Sequence, residues 1–204
     1  MAVDFNDRPI SVALARRLPW ATLVVVGLAL ATHLLPALAE LSIYDRRLIV
    51  HGEIWRTWTG HIVHFGRSHL FWDVAVFLPA GCWLERLWPR RARWFYLVCP
   101  LAISTALFVL EPTLLRYAGL SGLATGTLVL LAALQLQRRS NEPAWFWWSV
   151  LALVGLKIGI ELFTGAPLMV TDFVGIRSVP LAHIGGAVCG LVFVVFGRAK
   201  SVRH

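Results

Sequence analysis

Twenty residues without a charged side chain, AGLSGLATGTLVLLAALQLQ, occupy positions 118–137. An α-helix needs about 20 predominantly apolar residues to cross the hydrocarbon core of a bilayer, so this stretch has the length of a transmembrane segment. The pattern predicts an all-α integral membrane protein with six transmembrane helices. The other five apolar stretches lie at 18–39, 69–87, 94–111, 144–163 and 180–197.

The composition also favours a membrane protein. Hydrophobic residues make up 58% of the 204-residue chain, charged residues make up 15%, and the mean hydropathy is +0.69. Ordinary soluble domains have about a quarter of their residues charged.

The net charge of +8 fits arginine in cytoplasmic loops, and we expect no nucleic-acid partner. The apolar run beginning near Leu18 is too long for a cleavable signal peptide. The three cysteines have neither disulfide nor zinc-site spacing and lie in apolar stretches, at Cys82, Cys99 and Cys189.

The basic residues of the loops predict the orientation. A cytoplasmic N-terminus places twelve of them inside and six outside. We therefore expect both termini in the cytoplasm, with segments 1–17 and 198–204 flanking one membrane domain at 18–197. The inner residues are Arg8, Arg16, Arg17, Arg86, Arg90, Arg91, Arg93, Arg138, Arg139, Arg198, Lys200 and Arg203. The outer residues are Arg46, Arg47, Arg56, Arg67, Arg116 and Arg177.

The segment 40–68 differs from its surroundings. It is too polar to cross a membrane, yet it contains Tyr44, Trp55 and Trp58. Because Trp and Tyr prefer the headgroup layer, we expect this loop to lie in the outer interface.

Polar residues open three of the predicted helices. In the predicted topology the second, fourth and sixth helices all run from outside to inside, so their first turns share one depth. The second begins with His69 and Asp73, the fourth contains Ser121 in its first turn, and the sixth contains His183 in its first turn. These four side chains can therefore meet near the outer face.

This combination predicts nucleophilic catalysis. Ser121 lies in a first helical turn, where free backbone N–H groups and the positive end of the helix dipole can stabilise an oxyanion. His183 is the candidate base, because a serine hydroxyl needs a base to remove its proton. Gly119 and Gly122 would let a substrate backbone approach closely.

Two glycines after His183 predict how the base reaches Ser121. Gly186 and Gly190 form a small-xxx-small face, which allows close packing between membrane helices. Packing of this face on the fourth helix would carry His183 toward Ser121.

The chain resembles the rhomboid proteases from about residue 50 to 195. The resemblance implies a Ser121–His183 dyad with no acidic third member, an oxyanion hole lined by His69 and the backbone at Ser121, and a first loop that acts as a scaffold. No metal or cofactor is implied. The matching motifs are Trp55-Arg56, His64, His69, Gly81, Glu85, Gly119-Leu120-Ser121-Gly122 and Ala182-His183-x-x-Gly186-x-x-x-Gly190.

Two positions depart from the usual rhomboid pattern. Asp73 stands where many rhomboids have Asn, and Thr125 stands where many have a Tyr under the histidine. An ionised carboxylate cannot donate a hydrogen bond, so Asp73 belongs to the oxyanion hole only if it is neutral. These departures keep open a catalytically inactive rhomboid-like protein that binds membrane helices as a chaperone or quality-control factor.

A narrower resemblance is to rhombosortases, small bacterial rhomboids. It rests on the short chain, on Thr59-Gly60-His61, and on Lys157 with Glu161 ahead of His183. It implies a protein of the bacterial inner membrane, with its site toward the periplasm, that removes a C-terminal signal from exported proteins. That signal consists of Gly-Gly, a transmembrane segment and a basic tail. We interpret Lys157 and Glu161 themselves as a structural ion pair between helices.

Two other site classes use the same histidines. A membrane haem protein would use His33, His69 and His183 as axial ligands. All three lie near the outer ends of their helices, and no second layer of histidines lies at the inner end. A zinc site would use His61, His64 and His69, whose spacing matches no helical zinc motif. The sequence favours neither.

Overall fold

The computed structural model describes residues 18–138, 142–165 and 179–199, with side chains described as far as Val195. Both predicted terminal segments, apart from residues 198 and 199, and the loop residues Arg139 and Arg177 lie outside the described residues. The described chain is mostly helical. Its long helices are α1 (Trp20–Leu34), α5 (Arg67–Leu87), α6 (Pro89–Leu110), α7 (Ser121–Arg138), α8 (Ala144–Thr164) and α9 (Pro180–Ala199). The shorter elements are α2 (Pro36–Ser42), β1 (Tyr44–Asp45), α3 (Arg46–Val50), α4 (Arg56–Thr59), a 3-10 turn (Gly60–Ile62) and β2 (Arg116–Tyr117).

The long helices lie where the sequence predicts apolar stretches, but they differ in how well they suit a bilayer. Among the described residues, α6 and α8 are long and apolar enough to cross a membrane, and α1 with α2 would make a third span if counted together. Helix α5 is less apolar because it carries Asp73, Glu85 and two Arg residues, Arg67 and Arg86. Six membrane crossings therefore remain a prediction.

The first stretch, predicted as one segment at 18–39, is bent in the structure. Helices α1 and α2 meet at an angle of 116°. The break lies at Leu35, which is extended (φ −117°, ψ 92°) and precedes Pro36. A residue before proline is disfavoured in the helical region, and proline has no N–H to continue the hydrogen-bond ladder.

Glu85, a charge inside the second apolar stretch, caps the first helix. Its carboxylate accepts hydrogen bonds from the backbone N–H of Ala21 (3.2 Å) and of Thr22 (2.9 Å), and from the Thr22 hydroxyl (2.9 Å). These N–H groups belong to the first turn of α1 and have no partner within their own helix. A buried carboxylate is thus satisfied by a helix terminus, which fixes α1 against α5.

Segment 40–68 folds as a compact unit beside the helices. Strands β1 and β2 pair antiparallel, with Tyr44 opposite Tyr117, so the loop is tied to the residues just before α7. The buried Arg56 guanidinium donates to the carbonyls of Glu40 and Ile43, each at 2.8 Å, and pairs with Glu53 at 2.7 Å. A buried arginine with these partners makes the loop a fixed scaffold rather than a linker.

Candidate active site

Ser121 and His183 come together in the structure. Ser121 is the first residue of α7 and His183 lies in the first turn of α9. The Ser121 Oγ is 2.9 Å from Nε2 of His183, within hydrogen-bonding distance. His183 is buried, with 5% of its surface exposed. A hydroxyl and an imidazole at this distance can transfer a proton.

Glycines hold these two helices at backbone contact. A Cβ on Gly186 would collide with the carbonyl of Gly122, and a Cβ on Gly190 would lie 2.7 Å from the carbonyl of Gly126. Only glycine fits where two helix backbones approach so closely. The interlocked glycines place His183, one turn before Gly186, beside Ser121.

Gly119 is required for a different reason. Its φ is +138°, a conformation that residues with a side chain rarely adopt. A Cβ there would lie 2.8 Å from Nε2 of His69. The backbone just before Ser121 therefore turns sharply and passes directly over the His69 ring.

Asp73 connects His69 with a second histidine. Its Oδ2 lies 3.1 Å from Nε2 of His64 and 3.3 Å from Nε2 of His69. Nε2 of His64 also accepts the backbone N–H of Leu120 at 3.3 Å. Burial lowers the pKa of His64, which favours the neutral ring that such an acceptor requires. His64, which the sequence reasoning used only as a motif position, thus couples Asp73 to the turn before Ser121.

Glu161 contacts the base itself. Its Oε2 lies 2.6 Å from Nδ1 of His183, on the other side of the ring from Ser121. Its Oε1 accepts a hydrogen bond from Lys157 at 2.7 Å. The sequence analysis paired Glu161 with Lys157 alone, as a structural ion pair between helices. That interpretation was incomplete, because the two residues pair within α8 and the pair faces His183. The family resemblance implies a dyad without an acidic member, and Glu161 is an acidic neighbour of His183 that this resemblance does not include.

The only sign in the sequence of the contact between Glu161 and His183 was the presence of charged residues inside an apolar stretch. Most of α8 presents apolar side chains on its outer surface, among them Trp148, Leu162 and Phe163. Glu161, by contrast, is 1% exposed. The rotation of α8 that turns this residue inward cannot be read from spacing alone.

A cavity of about 960 Å³ lies between α5 and α8 and reaches the predicted site. Ser121, Thr125, His183 and Asp73 line it, so the Ser–His pair faces this space. The rings of Trp83 and Trp147 contact each other across it, with centroids 5.0 Å apart. Its walls are mostly apolar, with Trp72, Val76 and Trp83 from α5 and Trp147, Val150 and Leu153 from α8.

The histidines make contacts that differ from those of a metal or haem site. Nε2 of His61 bonds the Ser104 hydroxyl at 3.0 Å, away from His64 and His69. Burial lowers the pKa of His61 to about 4, so this ring is neutral. Both ring nitrogens of His183 face protein partners, Nε2 toward Ser121 and Nδ1 toward Glu161. Within the residues that the structure describes, no group of three or more His, Cys, Asp or Glu side chains could hold a metal ion.

Residues 51–200 match the family model described as Rhomboid domain. No curated protein matches the chain.

Proposed function

We propose that this integral membrane protein, a member of the rhomboid family of intramembrane serine proteases, is an active endopeptidase. Ser121 is its nucleophile and His183 its general base. The observation that carries this proposal is the 2.9 Å contact between Ser121 Oγ and His183 Nε2 at the wall of an apolar cavity.

The proposed reaction follows ordinary acyl transfer. As Ser121 Oγ bonds to the scissile carbonyl carbon, His183 Nε2 takes the hydroxyl proton. The proton passes to the leaving amide nitrogen when the C–N bond breaks. Water, activated by the same imidazole, then hydrolyses the acyl ester. The backbone N–H of Ser121 sits at a helix N-terminus and would donate to the oxyanion. The flanking Gly119 and Gly122 leave room for the substrate backbone.

We place His69 and Asp73 beside this oxyanion region. Nε2 of His64 accepts the Leu120 N–H, so it carries no hydrogen for Asp73 Oδ2 at 3.1 Å. A neutral Asp73 resolves this if its hydrogen lies on Oδ2. This O–H can donate to Nε2 of His64, which shares its single lone pair with the longer Leu120 contact, and the remaining lone pair of Oδ2 can accept from Nε2–H of His69 at 3.3 Å. Burial within a membrane helix also favours the uncharged form. Asp73 then fixes the His69 ring under the turn that leads to Ser121.

Asp73→Asn is expected to keep activity within about threefold of the native protein, because the amide can still donate to His64. Asp73→Ala is expected to lose about 10²-fold, the usual effect of removing one group from an oxyanion site. Initial cleavage rates of the two variants, measured over a range of pH, check this. Equal damage by Asn and Ala at every pH would show that Asp73 acts as an ionised acceptor instead.

We propose that the substrates are exported proteins anchored by a C-terminal membrane segment, and that the protein acts as a rhombosortase of the bacterial inner membrane. The apolar cavity beside Ser121 has the chemistry to receive a transmembrane segment. The test is co-expression with candidate proteins that end in Gly-Gly, a span and a basic tail, scored for release from the membrane. A substrate with the Gly-Gly pair replaced is the control. If no candidate is released and the protein instead retains membrane-anchored partners, the inactive helix-binding alternative is favoured.

A reporter fused after residue 204 is expected to behave as cytoplasmic. The physical reason is the twelve-to-six bias of loop Arg and Lys, since positive loops stay inside. A green fluorescent fusion should fluoresce, and a fusion to an alkaline phosphatase that needs export should be inactive. The opposite pair of results would place Ser121 and the starts of α5 and α9 at the inner face, against the proposed periplasmic site.

A further inference from the structure

We infer that Glu161 is the third member of the catalytic unit, a positioning residue that holds and charge-compensates His183, with Lys157 fixing Glu161 in turn. This inference rests on the proposed serine protease function and concerns the same site. It departs from the two-residue mechanism that the family resemblance implies.

The role of Glu161 depends first on which ring nitrogen of His183 bears the hydrogen. Nε2 must be free of hydrogen to take the Ser121 proton, so the neutral ring carries its hydrogen on Nδ1. Nδ1 lies 2.6 Å from Glu161 Oε2. A carboxylate at this nitrogen selects the tautomer and orients the ring, as the third group of a nucleophile–base pair does.

His183 and Glu161 are both buried, and this burial makes the charge of Glu161 important. When His183 takes the proton, a positive charge forms on a ring that is 5% exposed, with little water to stabilise it. Glu161, 1% exposed, is the negative group in direct contact with that ring. Because Coulomb interactions are strong away from water, the carboxylate stabilises the imidazolium as the reaction proceeds.

Lys157 explains how a carboxylate is held at this place. Its Nζ lies 2.7 Å from Glu161 Oε1 and leaves Oε2 turned to His183. The ammonium also lies 3.3 Å from His183 Nδ1, so without Glu161 it would oppose the imidazolium. The ammonium is also 3.4 Å from His183 Nε2, so Lys157 and Glu161 both contact the ring, and the carboxylate is the group that offsets the repulsion between Lys157 and the imidazolium.

The rate at which a fluorophosphonate probe labels Ser121 tests this inference without a protein substrate. In labelling, Oγ bonds to phosphorus, the P–F bond breaks, and His183 receives the proton. Glu161→Gln is expected to lower the maximal labelling rate by up to about 10⁴-fold, the loss seen when a buried carboxylate behind a catalytic histidine becomes an amide. The half-saturating probe concentration should change little, since the probe does not contact Glu161. Glu161→Asp should recover part of the rate.

A double variant, Lys157→Met with Glu161→Gln, separates the loss of Glu161 itself from the effect of leaving Lys157 without its carboxylate partner. It removes both charges, so it avoids an unpaired Lys157 and serves if Glu161→Gln alone does not fold. If Glu161 acts on His183, the double variant remains about as slow as Glu161→Gln. Labelling by the double variant at the native rate, or by Glu161→Gln at that rate, would overturn the inference while leaving the Ser121–His183 mechanism intact. If the native protein is not labelled at all, the proposed function fails as well.

Discussion

Ser121→Ala and His183→Ala each abolish cleavage in the co-expression assay, with an expected loss of more than about 10³-fold, and both variants remain inserted in the membrane. Nucleophile and base act as one unit, so removing either residue costs nearly the whole catalytic effect. The 2.9 Å contact that joins them makes this unit explicit. The measurement is the fraction of substrate released at steady expression.

The matched control should keep the fold while it removes a different hydroxyl from α7, the helix that contains Ser121. Thr127→Val removes a hydroxyl that bonds the Leu123 carbonyl of its own turn, at 2.8 Å. Release by this variant should stay near the native level. Substantial cleavage by Ser121→Ala would end the mechanism, whatever the other variants do.

Gly186→Ala is expected to impair both the stability of the protein and its cleavage activity. Its Cβ would collide with the backbone carbonyl of Gly122, which cannot move aside as a side chain can. We expect a loss of about 1–3 kcal/mol in stability from overpacking. The displaced helix also carries His183 away from Ser121, and a shift of about 1 Å at a reacting pair can cost about 10²-fold in rate. Thermal unfolding in detergent and the cleavage rate measure the two consequences.

Gly155→Ala is the control for that substitution. Gly155 lies in α8 with no other group within 4 Å of its Cβ position, so the added methyl group meets open space. Unfolding temperature and cleavage should match the native protein. Equal effects at both glycines would mean that close packing of α7 on α9 does not position the site.

The sequence predicted the meeting of Ser121 and His183 because that meeting depends on topology. In the predicted topology alternate helices run in the same direction, and this shared direction gives their first turns one depth. The glycine spacing after His183 then indicates the packed face. Each of these features can be read from residue type and position, without knowing a side-chain angle.

The contacts of Glu161 and His64 were not predictable in the same way. Whether Glu161 faces lipid, Lys157 alone or His183 depends on the rotation of α8, and an apolar helix with few polar residues does not encode that rotation. His64 lies in a loop whose path is set by the pairing of Tyr44 with Tyr117. The bend before Pro36 was missed because the apolar run continues through it, although proline was a visible signal.

Mass spectrometry of the fluorophosphonate-treated protein tests whether Ser121 is the nucleophile that His183 activates. We expect one adduct, on the peptide containing Ser121, and no adduct on that peptide in the His183→Ala variant. An adduct on a different serine, or equal labelling of Ser121 without His183, would contradict it.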